Sequence, residues 1–340
     1  MNITKILKNF ISFRKKTILS ILFILIVACI SVTWFRGDFI INAGDQILPL
    51  SPVKDFKISI LYTWDHFRAT GFAIPSGLAN FSYFGIMALF EVLGFSLVNS
   101  EKILYYLIFA LSGLSIYFLA GILFSKKKEI LKITAAFFYM FNFYPIFTIW
   151  IGLPPLGIFY ALFPFLLALF IKSIRDEKVE INNFAFIILL AFFTSMITNP
   201  IYIIVLFICF LSYLIFFLIE NPKCIVKIIL RCISFIGIYI CLNCWWIISL
   251  IANFNLFTSV GRIYKSKEIF EGLSLEANFL NLLRLLGYPI FNTSYIGDPS
   301  FPWTSIYNNS LFIIIGFIPI ILIFLTLLIK QKNKIGRAHV

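Results

Sequence analysis

Two carboxylates stand close together just after the first long apolar run of the chain. Asp38 occurs in the string RGDF, and Asp45 occurs in AGDQ. Acidic residues are scarce, because the chain contains 15 Asp and Glu against 28 Lys and Arg. A carboxylate near an apolar boundary can have a raised pKa that suits it to accept a proton from a hydroxyl group. Each aspartate is therefore a candidate general base.

Both aspartates also have a simpler interpretation. Gly-Asp is common in turns, so Asp45 could be a turn residue only. Asp38 could instead form a salt bridge with Arg36 at the membrane surface. The residues by themselves leave both choices open.

Two further acids are candidates for a second carboxylate. Asp65 precedes His66 in TWDHF, where the two could form an acid–base pair or the polar face of an amphipathic helix. Glu91 interrupts an apolar run, where a carboxylate prefers contact with protein or water. It is either a second catalytic carboxylate or a hydrogen-bonded anchor of its segment.

Three cations could bind an anionic group, since the positive-inside rule disfavours cations in the outer loops and their presence there calls for another explanation. They are Arg262, Lys265 and Arg284. The alternative for all three is contact with lipid headgroups. Arg284 lies in an amphipathic pattern, which favours a headgroup contact or a side chain that reaches along the membrane surface.

Composition indicates that the elements holding these residues are membrane helices. The chain is 61% hydrophobic with a mean hydropathy of +0.98, and several runs reach the ~20 residues that a span requires. The net charge of +13 therefore reports topology and does not predict nucleic-acid binding. The six cysteines lie in or beside apolar runs and predict neither disulfides nor a metal site.

We predict an all-α polytopic fold of about eight transmembrane helices, at about 17–35, 103–124, 131–150, 156–172, 183–198, 201–219, 226–250 and 310–329. The segment Asn80–Val98 is predicted to lie in the membrane surface, because counting it as a span would place the basic segment Lys126–Lys132 outside. The same rule places the N-terminus in the cytoplasm of a multi-pass protein of the plasma membrane.

Two long loops, 36–102 and 251–309, are then extracytoplasmic. Residues 51–71 carry apolar positions at three- and four-residue spacing, which predicts an amphipathic helix on the membrane. Residues 273–287 predict another, with Ser274 as its N-cap and Gly287 as its end.

The last six residues, Ile335 to Val340, match the translation of a common sequencing adapter. We therefore expect residues 1–334 to form the transmembrane domain and residues 335–340 to be an artefact of a truncated gene.

Four features in order resemble the GT-C membrane glycosyltransferases. They are one helix, then GDQILPLSPVKDFKISILYTWD, then a membrane-dipping segment, then LNCWWIISLI before a loop with FLNLLRLLGYP. The chain is most similar to the N-terminal membrane part of the α-(1→3)-arabinofuranosyltransferase family, over about residues 17–330.

The resemblance implies an extracytoplasmic active site that transfers a sugar from a polyprenyl-phosphate donor to a glycan or glycolipid acceptor of the cell envelope. It implies a catalytic acid in the first outer loop, which Asp45 matches best and Asp38 matches second. It establishes no cofactor and leaves a divalent cation open, because some members of the wider superfamily use one. The anionic group that the three cations bind would then be the donor phosphate. Membrane lipids are the other expected partners.

Two other functions remain open from the sequence: a transporter or flippase of lipid-linked envelope intermediates, and a non-catalytic protein of envelope assembly. The predicted spans contain almost no ionisable residues, which counts against ion-coupled transport.

Overall fold

A computed structural model describes residues 3–41, 48–62, 64–65, 72–73, 81–124, 129–148, 154–175, 200–252, 279–286 and 304–328. The chain divides into two compact units. The first comprises Met1–Phe141 and Ile149–Phe257, and the second comprises Asn142–Thr148 and Thr258–Val340. Within the described ranges nearly all of the structure is helical.

The first unit contains most of the described helices. Its described helices are α1 (Ile3–Ala28), α2 (Pro52–Leu61), α3 (Phe81–Val92), α4 (Leu97–Leu123), α5 (Glu129–Phe141), α7 (Pro154–Arg175), α8 (Pro200–Glu220) and α9 (Ile225–Ala252). Short 3-10 helices follow α1 at Cys29–Trp34 and α8 at Pro222–Cys224. Strand β1 (Trp64–Asp65) pairs with β2 (Phe72–Ala73) in an antiparallel ladder.

The second unit contains three short helices and one long helix within the described residues. They are α6 (Phe143–Thr148), α10 (Phe279–Leu283), α11 (Thr304–Tyr307) and α12 (Ser310–Leu328). Leu286 is buried there among Phe143, Ile146 and Tyr307.

Four helical stretches of the described residues are long and apolar enough to cross a membrane. They are Lys15–Trp34, Leu97–Leu123, Pro154–Arg175 and Ile228–Trp245. Shorter apolar helices cover Ser82–Val92, Ile204–Glu220 and Ser310–Leu322. The structure therefore supports an all-helical chain with apolar helices suited to a membrane, and it shows four such stretches where the sequence predicts eight.

Helix α4 is the centre of the first unit, because it packs against α1, α3, α5 and α7. One apolar cluster joins α1, α4 and α5 and a second joins α3, α4 and α7. The closest approach is at Gly113 of α4. A Cβ atom there would lie 2.5 Å from Sδ of Met140 and 2.7 Å from Cγ2 of Ile24. The three helices can meet this closely only because the residue has no side chain.

A partly buried ion pair joins α1, α4 and α5 at the end where α5 begins. Lys132 Nζ lies 3.0 Å from Oε2 of Glu129, and the other carboxylate oxygen accepts hydrogen bonds from the hydroxyls of Ser20 and Tyr117. Burial raises the pKa of Glu129, but the hydrogen bonds and charge of its partners outweigh it and hold that pKa below its usual value. Lys132, predicted as a loop cation, is thus buried.

Two predicted helices end earlier than the sequence pattern indicates. The amphipathic helix predicted over 51–71 stops at Leu61, since Tyr62 is extended and β1 follows. Pro52 begins this helix, as proline does at a first helical position. The helix predicted over 273–287 is described from Phe279 and ends at Leu283.

Two predicted spans also have different bounds. The run 131–150 divides into α5 and α6, because the side chain of Asn142 accepts a hydrogen bond from the N–H of Tyr144 and caps α6. The run 103–124 becomes α4, which begins at Leu97 because the hydroxyl of Ser96 caps it. This earlier start brings Glu101 into the helix. The predicted span 183–198 lies outside the described residues.

Candidate functional site

The chain leaves α1 through a segment, residues 35–41, that lies along the first turns of α4. The rings of Trp34 and Phe35 contact the Tyr105 ring, with centroid distances of 6.3 and 5.7 Å. Trp34 also contacts Phe109 at 5.6 Å. These aromatic contacts place the exit of the first candidate span beside the beginning of the second.

Two neighbouring charged residues of α4 bind the backbone of this exit segment. Oε2 of Glu101 accepts a hydrogen bond of 2.8 Å from the N–H of Ile41. Nζ of Lys102 donates one of 3.3 Å to the carbonyl oxygen of Gly37 and lies 5.9 Å from the Phe35 ring centroid. The carboxylate and the ammonium group thus hold opposite ends of one short stretch.

Glu101 is completely buried, with 0% of its surface exposed. In the described part of the chain, its second oxygen, Oε1, has no hydrogen-bond partner, and neither does the buried hydroxyl of Tyr105 one helical turn away. Tyr83 of α3 lies close to the same carboxylate. Burial, and secondarily the charge of Glu101, raise the pKa of the Tyr83 phenol. Polar atoms buried in this way are where a bound water or another polar group is expected.

Asp38 lies inside the stretch that Glu101 and Lys102 hold. It follows Gly37, whose φ of 63° is in the left-handed region and forms a turn. Its side chain is exposed. Asp38 therefore combines a restrained backbone with a carboxylate that solvent or a substrate can reach. The other predicted base, Asp45, lies outside the described residues, which resume at Leu48.

A second carboxylate binds the backbone of the chain a few residues after the undescribed stretch 42–47. Leu48 is buried against Tyr83 and Leu104 in the cluster of α3, α4 and α7. Oε2 of Glu91, near the end of α3, accepts a hydrogen bond of 2.8 Å from the N–H of Val53 in the first turn of α2. Glu91 is thus a hydrogen-bonded anchor in this structure, and its role as a second catalytic carboxylate stays a prediction.

The structure describes only part of the remaining predicted set. Asp65 belongs to β1 and not to the polar face of a helix, and its side chain is outside the described atoms. His66, Arg262 and Lys265 lie outside the described residues. The structure therefore brings no two of the predicted site residues into contact within its described part.

Arg284 is the predicted phosphate ligand that the structure does describe. It lies in the second unit and is 7% exposed, so it is not a surface contact to lipid headgroups. Its Nη2 donates a hydrogen bond of 2.8 Å to the carbonyl oxygen of Tyr307. Within the described residues its buried Nε–H has no acceptor. Burial lowers the pKa of the guanidinium, which nevertheless stays charged at neutral pH.

The backbone around Arg284 explains its inward position. Helix α10 ends at Leu283, and Leu285 adopts a φ of 61°. A Cβ atom at Gly316 of α12 would lie 3.0 Å from Nε of Arg284. The guanidinium thus occupies space that the glycine leaves open, and a buried cation with an unused donor is suited to an anionic group.

Sequence reasoning missed Glu101, the most buried acid of this site. A signal was present, because a carboxylate inside a 27-residue apolar helix is by default a functional candidate. The predicted start of the span at residue 103 concealed it. No cluster of three or more potential metal ligands occurs among the described residues.

Comparison with known proteins adds no relative: no protein-family model, no curated protein and no solved structure matches this chain.

Proposed function

We propose that this chain is a GT-C type glycosyltransferase of the plasma membrane. It transfers a sugar, such as arabinofuranose, from a polyprenyl-phosphate donor to an envelope glycan or glycolipid on the extracytoplasmic side. The observation that supports the proposal is the exposed carboxylate of Asp38, whose backbone is held at the end of a candidate span. A carboxylate at such a boundary can meet a lipid-borne donor and a water-borne acceptor.

The proposed reaction needs one base and one phosphate-stabilising group. Asp38 or Asp45 accepts the proton of the acceptor hydroxyl as its oxygen forms a bond to the anomeric carbon. The bond from that carbon to the phosphate oxygen breaks, and polyprenyl phosphate leaves with the electron pair. The phosphate needs positive charge, and the sequence-based assignment of Arg262, Lys265 and Arg284 to that role stays a prediction.

The proposal includes the finer topology predicted from charge. It has about eight spans, a cytoplasmic N-terminus and both long loops on the extracytoplasmic side. The basic residues near Lys16, Arg175 and Arg231 support this orientation, because cations of short loops are retained in the cytoplasm.

The test is sugar transfer by purified protein in lipid vesicles supplied with radiolabelled polyprenyl-phosphate sugars. We expect Asp38→Asn or Asp45→Asn to lower kcat by 10²-fold or more, since general base catalysis contributes about 10²–10⁴-fold. Glu220→Gln, which alters an exposed acid at the end of α8, is the matched control and should retain full activity.

Full activity in both aspartate variants would exclude the assigned base. Movement of the labelled lipid across the bilayer without sugar transfer would instead identify a transporter or flippase. Neither transfer nor movement would indicate the non-catalytic role in envelope assembly.

A further inference from the structure

The contacts of Glu101 and Lys102 are directed to backbone atoms on both sides of Asp38. Lys102 binds the carbonyl oxygen of Gly37, immediately before the aspartate, and Glu101 binds the N–H of Ile41, three residues after it. Backbone contacts of this kind restrain the path of a segment and leave its side chains free. The Asp38 side chain is accordingly exposed while its neighbours in the chain are held.

The two contacts differ in their exposure to solvent. Glu101 is wholly buried, so water does not compete for its hydrogen bond to the N–H of Ile41. Lys102 is only partly buried, but its position over the Phe35 ring restricts the ammonium group as well. The ring of Phe35 in turn lies against Tyr105 of the same helix. Backbone and aromatic contacts therefore act on one segment from one face of α4.

We propose that Glu101 and Lys102 form a clamp that positions the Asp38 carboxylate for proton transfer. The catalytic part of this proposal rests on the proposed glycosyltransferase function, whereas the clamp itself does not. Glu101 and Lys102 are positioning residues, because they act through the backbone of residues 37–41 and touch no reacting atom. A displacement of about 1 Å at a reacting group can cost about 10²-fold in rate, so a weakened clamp has a large effect on catalysis.

The clamp is tested first by a readout that needs no enzymatic activity. Ile40→Cys, in a chain whose six natural cysteines are replaced by alanine, places a thiol in the half-buried part of the segment. The measured quantity is its labelling rate with a membrane-impermeant maleimide. Phe39→Cys, at a position that is 78% exposed, gives the rate of an open site.

We expect Glu101→Ala to raise the labelling rate of the Ile40 thiol about tenfold, towards that of the Phe39 thiol. Glu101→Gln should leave it near its original value, because the amide oxygen still accepts the N–H of Ile41. Lys102→Met keeps an apolar chain beside Phe35 but removes both the bond to Gly37 and the ammonium group over the ring, so its effect should be intermediate. Asn99→Ala, an exposed position in the first turn of α4, is the control and should change nothing.

The second readout is the steady-state rate of sugar transfer. Glu101→Ala should lower kcat about 10²-fold with little change in KM for the donor, and Glu101→Gln should restore most of the rate. Thermal unfolding of each variant in detergent separates loss of fold from loss of position. If the Glu101→Ala variant does not fold, the Lys102→Met variant takes its place in this test.

The outcomes separate the two proposals. Unchanged labelling in both Glu101→Ala and Lys102→Met would overturn the clamp. Faster labelling with unchanged kcat would overturn the positioning role. Absence of sugar transfer by the unaltered chain would contradict the proposed function and, with it, the catalytic part of the clamp, while the labelling rates would still decide whether the clamp exists.

Discussion

At the scale of single residues, Glu101 and Arg284 have roles that depend on what surrounds them. In the sequence Glu101 is one of several acids in an outer loop, and Arg284 is one of several cations in another. In the structure both are buried, and each keeps one polar atom without a partner among the described residues. Burial of a charged group is costly unless it is satisfied, so a bound polar group or water is the expected complement.

Arg284 gives the first prediction at this scale. Arg284→Gln should raise KM for a polyprenyl-phosphate donor about tenfold, because the variant loses a charge-assisted contact to phosphate. Tyr307→Phe leaves the carbonyl oxygen that Arg284 binds and should have a much smaller effect on KM. Steady-state kinetics over a range of donor concentrations, together with thermal unfolding of both variants, provide the measurement. An unchanged KM in Arg284→Gln would remove this residue from the donor site.

At the scale of elements, helix existence was predictable and helix ends were not. The pattern of apolar residues predicts helices where α4, α7, α8 and α9 occur, since each contains a long apolar run. Their ends depend on single side chains, such as Ser96 at the start of α4 and Asn142 between α5 and α6. These caps act through one hydrogen bond each, which a hydropathy pattern does not report.

Packing of α4 against α1 and α5 gives a prediction about stability. Gly113→Ala should destabilise the protein by about 1–3 kcal/mol, because the new methyl group would overlap Met140 and Ile24. Gly237→Ala is the matched control, since a Cβ at that position of α9 has no heavy atom within 4 Å. It should be neutral or stabilise by up to about 1 kcal/mol through helix propensity.

Thermal unfolding in detergent, followed by circular dichroism, measures both glycine variants. Equal melting temperatures for Gly113→Ala and the unaltered chain would show that the contact of α4 with α1 and α5 has space for a methyl group.

At the scale of the whole molecule, the chain has two compact units, and the second takes α6 from the middle of the sequence. The sequence prediction of a single membrane domain over residues 1–334 contains no signal for this division. Residues 142–148 join a unit made otherwise of residues 258–340. Such membership is decided by contacts between segments distant in sequence, which local patterns do not contain.

Orientation in the membrane gives the prediction at this scale. In a chain without natural cysteines, Phe39→Cys should react with an impermeant maleimide on intact cells. Lys223→Cys, at an exposed position of the 3-10 turn Pro222–Cys224, should react only after the membrane is permeabilised. The physical reason is the retention of basic loops on the cytoplasmic side. Reaction of the Lys223 thiol on intact cells would reverse the proposed topology.

The sequence by itself determined the class of the protein, because a chain that is 61% hydrophobic must bury long apolar runs and satisfy their backbone polar groups in helices. It also singled out Asp38 and Asp45 as acids beside the first candidate span. Only the tertiary structure decided that Glu101 and Lys102 hold the backbone around Asp38, and that Arg284 faces inward. These roles arise from hydrogen bonds between residues far apart in the chain, and the type of a side chain does not determine which backbone atom folding brings to it.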